Sequence, residues 1–215
     1  MEIIYIAILF FAFLSGESKN LKFSTFSLIP HSLLIATSVF LLGYYQKIPS
    51  LYLIAGVDFL VRAILMPVLL IIILKQRLER ETKPLITHAL SIALSVVLLS
   101  VIFNLVETLK IQKLPDVLSS FSCGFTLAIY GLFLLISKRD MVKMIIAFFI
   151  IENGIHFLII ALIPHLPKGI ELALTFNFVV ALFLFIYVTL RLNEILVFEE
   201  IRKFRESNIF YKSKE

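Results

Sequence analysis

The sequence predicts an all-α, polytopic transmembrane protein with six to seven membrane helices and a cytoplasmic C-terminus. Hydrophobic residues make up 60% of the 215 and charged residues only 16%, with a mean hydropathy of +1.01. A soluble domain of that length needs more charge and more turn residues. Apolar runs of about 20 residues recur along the chain, each long enough to cross roughly 30 Å of hydrocarbon at about 1.5 Å per residue. The basic residues are also unevenly distributed. If the helices alternate, one side holds fifteen of the twenty Lys and Arg residues, from Lys19 and Lys22, the 75–83 and 138–143 segments and the tail from Arg191. The other side holds Lys47, Lys110, Lys113 and Lys168, and Arg62 falls inside a span. The positive-inside rule then puts the C-terminus in the cytoplasm. The net charge of +5 reports topology and anionic lipid, not nucleic acid.

The spans follow from breaks in apolarity: 2–15, 26–45, 51–74, 85–106, 117–137, 141–163 and 170–192. The breaks "SGESKNLK", "QKIPS", "KQRLERETKP", "KIQKLPD", "SKRD" and "PHLPKG" are rich in Pro and Lys, as loops are. The first span is short, a spanning or half-inserted helix. It makes a poor signal peptide because Glu2 stands where a basic start is needed. After Arg191, "LNEILVFEEIRKFRESNIFYKSKE" sets Ile195, Phe198, Ile201 and Phe204 at helical spacing among charges. This predicts an amphipathic tail that binds a peripheral subunit or lies on the membrane surface.

Soluble-enzyme chemistry finds no support. Cys123 is the only cysteine, which excludes an internal disulfide, a CxxC pair and an iron–sulfur cluster ligated by cysteines of this chain alone. The histidines at 31, 88, 156 and 165 lack metal-ligand spacing. There is no glycine-rich phosphate loop and no catalytic-triad pattern, so the chain has no catalytic centre of its own.

What remains is a set of polar residues inside apolar spans. Insertion of a central Asp, Lys or Arg costs about 2.5 to 3.5 kcal/mol, and such residues normally face protein or water and mark an ion path. Glu152 lies near the middle of the sixth span with His156 one turn on, Asn153 beside it and Lys143 toward the cytoplasmic entrance. No cation lies within a turn of Glu152 on its own helix, so it either takes up a proton or lines a hydrated cavity, and both states suit proton handling. In the third span Asp58 and Arg62 are also four apart, able to neutralise each other within one helix. Pro67 follows and, lacking an N–H, predicts a kink beside Arg62. Glu171 opens the seventh span and Asn177 lies deeper. Asn153 and Asn177 read as interhelical hydrogen-bonding groups.

The segments "GLFLLISKRDMVKMIIAFFIIENGIHFLIIAL" and "VDFLVRAILMPVLLIIIL" resemble the membrane component E family of hydrogenase-4 and formate hydrogenlyase-type complexes. The "ENG" triplet, with a histidine two residues later, is the specific part. The last three helices are similar to the K-type subunit of respiratory complex I and the C-type subunit of Mrp antiporters. The resemblance implies amino-terminal transmembrane helices over 1–112, a K-subunit-like three-helix unit over 113–192 and the tail over 193–215. Phe149 stands where the complex I subunit has its first glutamate, with Glu152 one turn later. Asn177 falls where relatives often place an acid, and Arg62 where they often have lysine. Arginine hardly deprotonates, so it acts as a fixed charge.

The resemblance implies a non-catalytic subunit, in a multi-pass position in the cell membrane, of a group 4 [NiFe]-hydrogenase complex that couples redox chemistry to proton or sodium translocation. The proton path would run through Glu152, His156, Asp58, Arg62, Lys143 and Glu171. No cofactor is expected on this chain. The [NiFe] centre and iron–sulfur clusters would sit on partners, comprising antiporter-like and other membrane subunits and a peripheral hydrogenase arm. Two further readings stay open: a subunit of a multisubunit cation/proton antiporter, and a structural spacer between larger subunits.

Overall fold

A computed structural model describes residues 1–74, 87–108 and 115–163, together with parts of 167–191. Among the described residues the chain is helical throughout. The helices are α1 (Glu2–Glu17), α2 (Leu21–Gln46), α3 (Pro49–Asp58), a π-helical segment (Phe59–Leu65) running into α4 (Met66–Leu74), α5 (His88–Thr108), α6 (Pro115–Ser137) and α7 (Met141–Leu162). Among the described residues, five helical stretches are long and apolar enough to cross a membrane: Leu21–Gln46, Pro49–Ile72, His88–Val106, Ser119–Ser137 and Met141–Leu162. The protein is a helical membrane protein. With 16 residues, α1 reaches only about 24 Å, less than the hydrocarbon thickness.

The breaks in apolarity have local causes. The Asn20 side chain accepts a hydrogen bond from the Phe23 N–H (3.1 Å) and caps α2, which begins at Leu21, five residues before the expected span. Lys47 ends α2 in the left-handed region (φ 57°), and Pro49 then opens α3 at a position where its missing N–H costs nothing. At "SKRD", the Asp140 carboxylate accepts from the Val142 and Lys143 N–H groups (2.9 and 3.2 Å) and starts α7.

Lipid offers apolar helices no hydrophobic incentive to associate, so close backbone packing must supply it. The tightest seam joins α6 and α7. A Cβ on Gly154 would sit 2.6 Å from the Ala128 nitrogen and 2.8 Å from the Gly124 carbonyl oxygen. A Cβ on Gly124 would sit 2.9 Å from the Gly154 oxygen, and one on Gly131 would sit 2.8 Å from the Ile151 nitrogen. The glycine of the "ENG" triplet is therefore a helix-packing residue. α7 also packs on α1 and α2, where Tyr5, Ile8, Leu28, Ile35, Phe149 and Phe157 are fully buried. α5 differs: only 17% of its span is buried, and most of its apolar surface is exposed.

Residues Met1–Leu174 form one compact unit and Thr175–Glu215 a second. In the second, a short apolar helix covers Thr175–Val188, within the seventh expected span. The amphipathic tail and Glu171 lie outside the described residues.

Candidate functional site: a buried ionic network between helices

Asp58 is the last residue of α3 and Arg62 lies one turn on, in the π-helical segment. The sequence predicts a kink here from Pro67, and the distortion takes the form of this segment. The Met66 N–H donates to the Val61 carbonyl, five residues back, so the ladder has already shifted before it reaches the residue with no N–H to give. Widened turns of this kind are frequent at functional sites.

Both side chains are 1% exposed. Arg62 Nε lies 3.1 Å from Asp58 Oδ1, an ion pair within one helical turn. The network then crosses to α7. Arg62 Nη1 donates to Asn153 Oδ1 (2.9 Å), and His156 Nε2 lies 2.9 Å from Asp58 Oδ2. Asn153 Nδ2 donates to Ser32 Oγ on α2 (3.2 Å). Five side chains from three helices thus form a continuous polar chain in an apolar interior. Removing one partner from a buried ion pair typically costs about 3–5 kcal/mol, so the arrangement also fixes the register of α2, α3 and α7.

Glu152 stands apart from the hydrogen-bonded set. It is half-buried on α7, yet its carboxylate is among the charges that act on the Arg62 guanidinium. Its helix neighbour His156 turns to Asp58 across the α3 interface. Asn177 is exposed on the Thr175–Val188 helix. Three of the six expected proton-path residues, Asp58, Arg62 and His156, are therefore in direct contact, joined by Asn153, with Glu152 at their border.

Lys143 belongs to a different group. It is 2% exposed, and its Nζ donates to the Ser15 and Gly16 carbonyls at the end of α1 (2.8 and 3.0 Å) and to Ser24 Oγ on α2. An ammonium there compensates the negative end of the α1 dipole. Near it lies a second buried cluster that the sequence reading missed. Glu17 accepts from Lys138 Nζ (2.7 Å), from Ser91 Oγ (2.8 Å to one oxygen and 2.9 Å to the other) and from Ser95 Oγ (2.8 Å). Glu17 and Lys138 fall in the breaks between spans, and Lys143 at the cytoplasmic entrance of the expected path. Both lysines are buried, Lys138 in an ion pair with Glu17 and Lys143 on carbonyl and hydroxyl oxygens. The available signal was Ser91 and Ser95, four apart on an otherwise apolar helix, facing the acid that ends α1.

Among the described residues no group of three or more His, Cys, Asp or Glu side chains could hold a metal ion, and Cys123 is buried. Comparison with protein-family models, curated proteins and solved structures returns no match.

Proposed function

We propose that this chain is a non-catalytic, multi-pass subunit of the cell membrane in a group 4 [NiFe]-hydrogenase-type complex, similar to the hydrogenase-4 and formate hydrogenlyase component E family. Its role is to help couple redox chemistry in partner subunits to proton or sodium movement. The observation that carries this reading is the Asp58–Arg62–Asn153–His156 network, buried at 0–4% exposure between α3 and α7. Charged groups are costly in a membrane interior, and an ion or proton path is a common reason for them. The resemblance of the "ENG" block and of the segment around Arg62 and Pro67 supplies the family.

In this reading Glu152 is the exchange point, because it is half-buried and can meet water or a neighbouring subunit. Arg62 is a fixed positive charge within electrostatic reach. The His156–Asp58 contact (2.9 Å) holds a proton that moves when the surrounding charge changes. The [NiFe] and iron–sulfur centres belong to partners in the peripheral arm and supply the redox chemistry there. The cytoplasmic C-terminus and its tail would face that arm.

One observation favours a second reading, the structural spacer. The network joins three helices through paired groups, as interhelical cross-links do. The spacer predicts that Glu152→Gln is silent, whereas the coupling reading predicts lost translocation; purification in mild detergent through a C-terminal tag tests which complex the chain belongs to. Co-purifying antiporter-like and metal-bearing subunits support the redox reading. Antiporter-like subunits alone move the chain to a cation/proton antiporter, and a chain that purifies alone overturns both.

A further inference from the structure

The two buried clusters sit at different depths of one seam. Ser24 meets Lys143 and Ser32 meets Asn153, so α2 and α7 run parallel. The eight residues from Ser24 to Ser32 span about 12 Å along the α2 axis. Between these contact points α2 places His31, fully buried at 0% exposure.

His31 Nδ1 lies 3.1 Å from the Ile8 carbonyl on α1. A carbonyl only accepts, so Nδ1 carries the hydrogen and Nε2 of the neutral ring is left as an acceptor. His31 Nε2 has no hydrogen-bond partner among the described residues, and neither has Ser15 Oγ on α1. Ser15 is seven residues from Ile8, as Ser24 is from His31, so on antiparallel helices the two orphaned groups flank the same stretch of the α1–α2 interface. Ala12 on α1 and Ser27 on α2 fall within that stretch and are both buried. Buried polar atoms without protein partners are what internal water satisfies, given several polar groups within reach.

We infer that His31 binds internal water and forms the hydrated step between the Glu17–Lys138–Lys143 cluster and the Asp58–Arg62–Asn153–His156 network. Protons then pass along the α1–α2–α7 seam, using the imidazole as the intermediate acceptor. A proton enters at the end that carries Glu17 and Lys138, near the half-buried His88. It moves by hydrogen-bond exchange through the Ser24 region and water to His31 Nε2. His31 Nε2 then gives the proton up again to water on the side of Ser32 and Asn153, while Nδ1–H keeps its hydrogen bond to the Ile8 carbonyl, so the ring returns to its starting tautomer. No bond other than N–H and O–H changes. The direction of use rests on the proton-coupling reading above, whereas the hydration of His31 does not.

The test uses the full chain with ¹⁵N-labelled histidine in lipid nanodiscs, read by water-edited solid-state NMR, with the His31 signal assigned by its loss in H31Q. The expected result is magnetisation transfer from water to His31 Nε2 as rapid as to His88. Transfer no faster than to a dry core position overturns the proposal. In the intact complex, H31L is then compared with E152Q, with assembly verified by co-purification. Loss of translocation in H31L with electron transfer retained supports the route. Translocation intact in H31L but abolished in E152Q overturns the route and leaves the function standing. If neither substitution changes translocation, the functional reading fails, and the hydration of His31 is still decided by the NMR result.

Discussion

His156 Nε2 and Asp58 Oδ2, 98 residues apart in sequence, lie 2.9 Å apart in the interior of the helix bundle, both nearly inaccessible. Asp58 also faces Arg62 at 3.1 Å, so one carboxylate serves a permanent cation on its own helix and a titratable ring on α7. This sharing makes Asp58 the junction of the network.

Replacing Asp58 with Asn removes the carboxylate that lies 3.1 Å from the Arg62 guanidinium in an apolar interior. We expect D58N to lower stability by about 3–5 kcal/mol, measured as a fall in thermal unfolding temperature in detergent. The double variant D58L/R62M removes both charges and should recover most of that loss. A double variant as unstable as D58N would mean that the pair does not interact as described.

Asn153 should matter chiefly through Arg62. N153A removes the oxygen that accepts from Arg62 Nη1 and the amide that reaches Ser32, and should cost about 1–3 kcal/mol. S32A should cost less, because Asn153 keeps its bond to Arg62. Equal effects in the two variants would contradict this ordering.

The α6–α7 seam predicts steric sensitivity. A methyl group at residue 154 would meet backbone atoms at 2.6 and 2.8 Å, and backbone cannot move aside as a flexible side chain would. G154A should destabilise by about 1–3 kcal/mol. At Gly56, where an added Cβ meets nothing within 4 Å, alanine should be neutral. Thermal unfolding of the two variants side by side checks the contrast.

The second cluster predicts an asymmetric pair. K138M leaves the Glu17 carboxylate with two serine hydroxyls and no ammonium at 2.7 Å, whereas E17Q keeps acceptor capacity for those hydroxyls. Both should destabilise, and E17Q/K138M together should be less destabilised than the sum of the singles. Strict additivity in unfolding measurements would show that the ion pair is not a functional unit.

Much of the fold was legible because a membrane imposes a simple code. Runs of apolar residues and their Pro, Lys and Asp interruptions located the helices to within a few residues, and the end of α2 at Lys47 and the start of α7 at Asp140 follow from local capping chemistry. Asp58 and Arg62 announced themselves because charge inside an apolar run is conspicuous. Glu17 and Lys138 did not. Each sits at a helix end, where charge is normally solvated, and only long-range packing over 121 residues brings them together. His156 was visible as a buried polar group, but its partner was not: helical spacing pointed to Glu152, whereas a side-chain contact from α7 to α3 supplied Asp58. The widened turn before Pro67 was half-legible, since a missing N–H signals distortion without specifying its form.

In the proposed function, polar groups within the helix bundle move protons in a redox-driven complex. The most direct measurement is proton translocation by membrane vesicles carrying the intact complex with Glu152→Gln. The substitution keeps size and polarity at a half-buried position, so the complex should assemble and transfer electrons. Redox turnover is expected to continue while proton translocation is lost. Undiminished translocation with normal assembly would contradict it and leave the network a structural cross-link.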